Sequence, residues 1–214
     1  MIVDERMVAY LASLDSPLSP ELTQVQREAR EEGVPIIRQS MQSFLHMFIE
    51  IMKPQKILEV GAATGFSSLL MAERSDENCR ITTMEIYEPR IIKARENIAK
   101  HPQGSKIELL AGDAAEILPT LEGPYDMIFM DAAKGQYINF MPEVMRLLRA
   151  GGILISDNVL QDGDIIESHY AVTRRNRTIY KRMRDYLYEL THSEDLVTSV
   201  IPIGDGAAVS VKRT

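Results

Sequence analysis

Residues 56–65, KILEVGAATG, hold a short, mostly apolar run that stops at Gly61 and turns before Gly65. A run this short, closed by glycine, reads as a buried strand entering a turn where the backbone takes positive φ or passes close to another group. Residues 66–74 then place apolar side chains at helical spacing. Strand, glycine turn and helix open a βαβ unit, and the alternation continues downstream. ITTMEI (81–86), KIELLAG (106–112), YDMIFMD (125–131) and GGILISDN (151–158) are further short apolar runs. Amphipathic stretches at 88–100, 114–121 and 138–149 lie between them, which predicts a parallel sheet wound with crossover helices.

Outward from this centre the pattern changes at both ends. Residues 4–14, 20–32 and 39–52 show helical spacing broken at Pro17, Pro20 and Pro35, so residues 1–52 are expected to form a helical cap on a core spanning 53–214. At the other end a basic helix is expected from about 174 to 191. It precedes VTSVIPIG, Asp205-Gly206 and AAVSVKR, where Asp-Gly between two β-prone runs signals a hairpin. The expected fold is α/β: a seven-stranded, mostly parallel, Rossmann-like sheet with helices on both faces and an antiparallel pair at one edge, all in a single domain.

The 214 residues are 45% hydrophobic and 26% charged, the composition of an ordinary globular chain. No apolar run reaches the roughly 18 residues of a membrane span, and the first residues carry acids where a secretion signal carries bases; a cytoplasmic protein is expected. A single cysteine, Cys79, excludes an internal disulfide and a thiolate cluster, and His46, His101, His169 and His192 show no ligand spacing. The net charge of -7 excludes a surface that is basic all over but leaves room for a local basic patch.

Ligands of an open parallel sheet sit beyond the carboxyl ends of its strands, so the residues that end each strand are informative. They are Glu59 with Gly61 and Gly65, Glu85, Gly112-Asp113, Asp131, and Asp157-Asn158. Each alone is explained by turn formation or helix capping; five together point to a site. The glycine turn lacks the second glycine of a dinucleotide fingerprint, since Ala63 stands there, so no pyrophosphate is expected. Glu85 is placed to accept from two ribose hydroxyls, and Asp113, with the Ala114 amide beside it, to read an adenine amine; N-capping is the alternative for both. Asp131, Asp157 and Asn158 bring three oxygen donors onto neighbouring loops. That set suits Mg²⁺, Mn²⁺ or Ca²⁺ rather than zinc.

The acid-x-Gly-x-x-x-Gly pattern resembles motif I of the S-adenosylmethionine-dependent methyltransferases. ILEVGAATGFSS, GDAAE, MDAAKGQY, SDNVL and the terminal IPIGDGAAVS together resemble the cation-dependent O-methyltransferases of the caffeoyl-CoA and catechol type, over residues 57 to the hairpin. The resemblance implies S-adenosylmethionine held by Ile37, Glu59, Gly61, Gly65, Ser67, Glu85, Asp113, Ala114 and Asp131, and a divalent metal on Asp131, Asp157 and Asn158. It implies Lys134 as general base, with Asp131 beside it in the catalytic group, and a homodimer.

Six cations, Arg174, Arg175, Arg177, Lys181, Arg182 and Arg184, fall within eleven residues. They read either as a solvated helix face or as a phosphate-tracking surface. With the short cap, this segment is most similar to the bacterial tRNA 5-hydroxyuridine methyltransferases, which makes Arg174, Arg175, Arg177 and Tyr137 candidate substrate contacts and tRNA the expected partner. A small phenolic substrate is the alternative. A non-catalytic RNA-binding protein that retains the fold is the alternative from another class.

Overall fold

The computed structural model describes residues 4–168 and 172–213, and His169 lies outside them. Seven strands form one sheet in the order β3-β2-β1-β4-β5-β7-β6. They are β1 (Lys56–Val60), β2 (Arg80–Glu85), β3 (Ile107–Ala111), β4 (Tyr125–Met130), β5 (Leu148–Asp157), β6 (Leu196–Ile201) and β7 (Ala207–Lys212). The first five run parallel; β7 is antiparallel to both β5 and β6, as the Asp-Gly turn predicted. Strand order reverses between β1 and β4, and there the loops diverge and leave a crevice.

Alternation along the strands assigns each side chain to a layer. Ile57, Phe129, Ile155 and Val209 face the layer of α2 (Pro20–Glu31), α3 (Gln39–Met52) and α4 (Phe66–Arg74). Leu58, Val60, Ile128, Met130 and Leu154 face the layer of α7 (Tyr137–Leu147) and α8 (Arg177–His192). A sheet buried on both faces requires near-continuous apolar strands, which is how β1, β4 and β5 read. The remaining helices are α1 (Glu5–Ala12), α5 (Glu88–Lys100) and α6 (Ala114–Ile117). In the cap, Ser19 accepts from the Leu22 amide and Pro20 occupies the first turn of α2, where its missing N–H costs nothing. No helix of the described residues is long and apolar enough to cross a membrane.

Three boundaries differ from expectation. The helix expected over 114–121 stops at Ile117 and continues as a 3-10 turn, Leu118–Thr120, because Pro119 has no N–H to donate to the preceding turn. The helix expected to reach 149 ends at Leu147, and β5 begins at Leu148, paired with Tyr125. The basic helix starts at Arg177 rather than 174; residues 174–176 form a turn in which the Asn176 amide donates to the Thr173 carbonyl.

Candidate active site

Gly61 builds the floor of the crevice. Its φ of +105° suits glycine, and a Cβ there would stand 2.2 Å from the Asp131 carbonyl oxygen, so the β1 turn can press against the end of β4 only without a side chain. The Asp131 amide in turn donates to the Val60 carbonyl, and the Gly61 and Ala62 amides both donate to the Met84 carbonyl. These contacts hold the ends of β1, β2 and β4 in one plane around a cleft of about 770 Å³. Glu85 is 8% exposed at its edge; its carboxylate accepts from the amides of Ala63, Ile86 and Tyr87 at 2.9–3.0 Å, which fixes its direction. Asp113 caps α6 through Oδ1, accepting from the Ala115 amide, while it also lines the cleft. The capping role expected as the alternative is therefore present, and it is compatible with a second one.

On the other side of Gly61 the register pairs Met130 with Ser156, so the next residues, Asp131 and Asp157, leave adjacent parallel strands at the same level. Burial pushes both carboxyls above the ordinary range; for Asp157 the neighbouring Asp131 adds to the rise, while Lys134 and Arg90 hold Asp131 down in part. Two buried carboxylates with too little positive charge between them are the electrostatic signature of a cation site. Asn158 follows with φ of +58°, a turn that its short side chain tolerates, and its backbone N–H donates to Asp157 Oδ1 at 2.7 Å. Lys134 projects from the 3-10 turn Lys134–Gln136 and meets Asp205 at 3.2 Å.

A family model described as O-methyltransferase matches residues 12–213. The chain belongs to the O-methyltransferase family. This O-methyltransferase is 34% identical over 146 residues to a catechol O-methyltransferase of Niastella koreensis, covering 65% of this chain and 66% of that one. It is 32% identical over 162 residues to the catechol O-methyltransferase of Mycobacterium tuberculosis, covering 72% and 73%. The chain thus spans about two thirds to three quarters of the length of these relatives. Among solved structures, a Staphylococcus aureus protein named for caffeoyl-CoA O-methylation superposes with a TM-score of 0.90 at 29% identity, covering 97% of this chain and 100% of that one. SAH-bound PaMTH1 of Podospora anserina superposes at 0.88 with 25% identity, covering 98% and 95%.

In the O-methyltransferase, Ile37, Gly61, Glu85, Asp113, Ala114, Asp131, Lys134, Asp157 and Asn158 all line the cleft. Glu59, Gly65 and Ser67 do not; they lie beneath it. Glu59 is fully buried, with Oε2 accepting from Ser68 and Thr83 and Oε1 without a hydrogen-bond partner. Burial pushes its carboxyl up to about 7, against the pull of its hydroxyl neighbours, Ser67 among them. Gly65 caps α4 at φ of +80° against Ala94 of α5. These three shape the turn from below.

One expectation about substrate contacts is corrected. Tyr137 is fully buried, and its hydroxyl donates to the carbonyls of Met130 and Asp157, both at 3.1 Å. It ties the ends of β4 and β5 together under the two carboxylates and is closed off from any ligand. Arg177, half-buried at the start of α8, donates from Nε to the Val172 carbonyl and so ties the helix back to the segment before it. Arg182 and Arg184 likewise donate to the carbonyls of Gly135 and Ile165. Arg174 and Arg175 are exposed in the turn before α8.

Asp205, Arg90 and Arg38 also line the cleft and were not singled out in the sequence. Asp205 carried only a turn signal, and nothing local marks a turn aspartate as buried. Arg90 follows the end of β2 by five residues, and Arg38 precedes α3; both arginines reach the cleft only because the sheet brings their elements together.

Proposed function

We propose that this enzyme transfers the methyl group of S-adenosylmethionine to an acceptor hydroxyl, with a divalent cation at Asp131, Asp157 and Asn158, and that the acceptor is 5-hydroxyuridine in tRNA. The observation that carries the reading is the pair of adjacent, buried, charge-starved carboxylates beside a glycine turn, in one cleft with Glu85. Among the described residues no three His, Cys, Asp or Glu side chains form a metal cluster; the side-chain oxygen of Asn158 would supply the third donor. Two carboxylates and one amide are hard oxygen donors that leave coordination positions open, and they fit Mg²⁺ or Mn²⁺. A divalent ion held by Asp131, Asp157 and Asn158 would supply positive charge that lowers the pKa of an acceptor hydroxyl.

The chain's own residues do the rest. Gly61 admits the amino-acid end of the cofactor close to the backbone, Glu85 accepts from the ribose hydroxyls, and Asp113 with the Ala114 amide meets the adenine. Transfer from a sulfonium is an in-line displacement, so these contacts serve to aim the methyl group at the acceptor oxygen. Lys134, ion-paired to Asp205, stands on the acceptor side, where its ammonium favours the developing oxyanion.

For tRNA the supporting feature is the position of the exposed Arg174–Arg175 turn. It leads directly into α8, whose Arg182 is bonded to Gly135 and whose Ile179 side chain packs beside Gly135, in the Lys134–Gln136 turn at the cleft. A phosphate held by the two arginines would lie within reach of an acceptor in the cleft. The names of the Niastella and Mycobacterium relatives favour a second reading, a small catechol.

One experiment separates them. Purified protein is incubated with S-adenosylmethionine, Mg²⁺ and tRNA carrying 5-hydroxyuridine, and in parallel with a simple catechol; nucleosides and phenols are read by mass spectrometry. The tRNA reading expects 5-methoxyuridine at a rate that falls steeply with salt. Methylated catechol with unchanged tRNA nucleosides would replace it by the small-molecule reading.

A further inference from the structure

We propose that Asp205 is a positioning residue: its carboxylate anchors the Lys134 ammonium at the acceptor side of the cleft. The proposal rests on the reading of Lys134 as an acceptor-side group. Lys134 alone is poorly fixed, since its side chain is 34% exposed on a short 3-10 turn and a four-carbon stem lets an ammonium sweep widely. Asp205 is the opposite, a carboxylate only 2% exposed. A charge so withdrawn from water needs a partner, and the Lys134 Nζ lies 3.2 Å from its Oδ2.

What makes Asp205 an anchor is the stiffness of the connection that carries it. Its carbonyl accepts from the Leu160 amide at 2.9 Å, and the next carbonyl, that of Gly206, accepts from the Val159 amide at 3.0 Å. Gly206 has φ of +84°, and a Cβ there would stand 2.2 Å from Leu160 Cγ, so the β6–β7 connection is pressed flat against the segment leaving Asn158. On its far side a Cβ at Gly204 would stand 3.5 Å from Arg38 Cδ and 3.7 Å from Ser40 Oγ. The connection is therefore bracketed by the segment that follows the metal donors and by the segment that enters α3. Through Asp205 it transmits that fixed position to Lys134, 71 residues away in sequence.

The test combines a readout that needs no acceptor with a kinetic cycle. Competitive acetylation of the whole chain, read by mass spectrometry, gives the reactivity of the Lys134 amine relative to the exposed Lys100. Asp205→Asn is expected to raise it roughly three- to fivefold, the effect of releasing one partly exposed ion pair. Turnover of that variant is expected to fall roughly 10- to 100-fold in kcat with little change in the KM for S-adenosylmethionine, and Asp205→Glu to recover part of it. Lys134→Met combined with Asp205→Asn is expected to be no slower than Lys134→Met alone. Equal acetylation of Lys134 in the parent and Asp205→Asn chains, or losses that multiply in the double variant, would overturn the proposal. Should Asp205→Asn lose its cooperative melting, Asp205→Ser carries the same measurements. A chain that acetylates as expected yet methylates neither tRNA nor catechol overturns the functional reading and leaves the anchor standing.

Discussion

A single absent methyl group decides whether the cleft exists. At Gly61 an alanine Cβ would meet the backbone of Asp131, which cannot rotate away as a side chain does, and positive φ adds strain. Gly61→Ala is expected to lose about 2–4 kcal/mol of stability and most of its affinity for S-adenosylmethionine, as read by thermal melting and calorimetry. Glu59, directly below, makes a different prediction. Its folded carboxyl titrates at about 7 against an ordinary value of 4.5, so the folded state keeps a proton that the unfolded chain gives up. Stability falls as pH rises from 4.5 to 7, and the penalty is complete above 7. Glu59→Gln is free of that slope. Its stability relative to the parent is expected to improve across this window, by about 3 kcal/mol at most, in urea melts at several pH values. A difference between the two proteins that does not vary with pH would show that Glu59 is ionised throughout.

Helix α8 illustrates how one charged stretch divides into two jobs. Arg177, Arg182 and Arg184 are bonded to backbone carbonyls, whereas Arg174 and Arg175 stand exposed in the turn before the first helical residue. Arg182→Ala, which leaves the Gly135 carbonyl without its donor, is expected to cost about 1–2 kcal/mol in stability. Arg174→Ala with Arg175→Ala is expected to leave the melting temperature unchanged, to weaken tRNA binding and to flatten its dependence on salt. Nitrocellulose binding at several salt concentrations checks the pair. If the double variant binds tRNA as the parent does, the turn is not a phosphate contact.

At the level of the whole molecule, removing divalent cation with a chelator is expected to abolish turnover while calorimetry still detects S-adenosylmethionine, because Gly61, Glu85 and Asp113 lie on the β1–β3 half of the sheet and the candidate metal donors on the β4–β5 half. Retained turnover in chelator would remove the cation from the mechanism. The same division explains what was legible beforehand. Strand–turn–helix order, the two-sided burial of β1, β4 and β5 and the acid or glycine at each strand end follow from local chemistry, since side-chain periodicity and turn preference act over a few residues. Fold class and the acids and glycines that end the strands at the cleft could thus be read directly from the chain. The roles of Tyr137, Asp205 and the α8 arginines could not, because the same residue types serve equally as ligand contacts, turn formers or clamps until distant segments meet. Tyr137 became a clamp when β4 and β5 placed two carbonyls over its hydroxyl, and Asp205 became a buried charge when the edge hairpin closed on β5. Local pattern wrote the elements and their order; which polar groups face the cleft and which are used up inside was settled by long-range packing, where hydrogen-bond partners come from dozens of residues away.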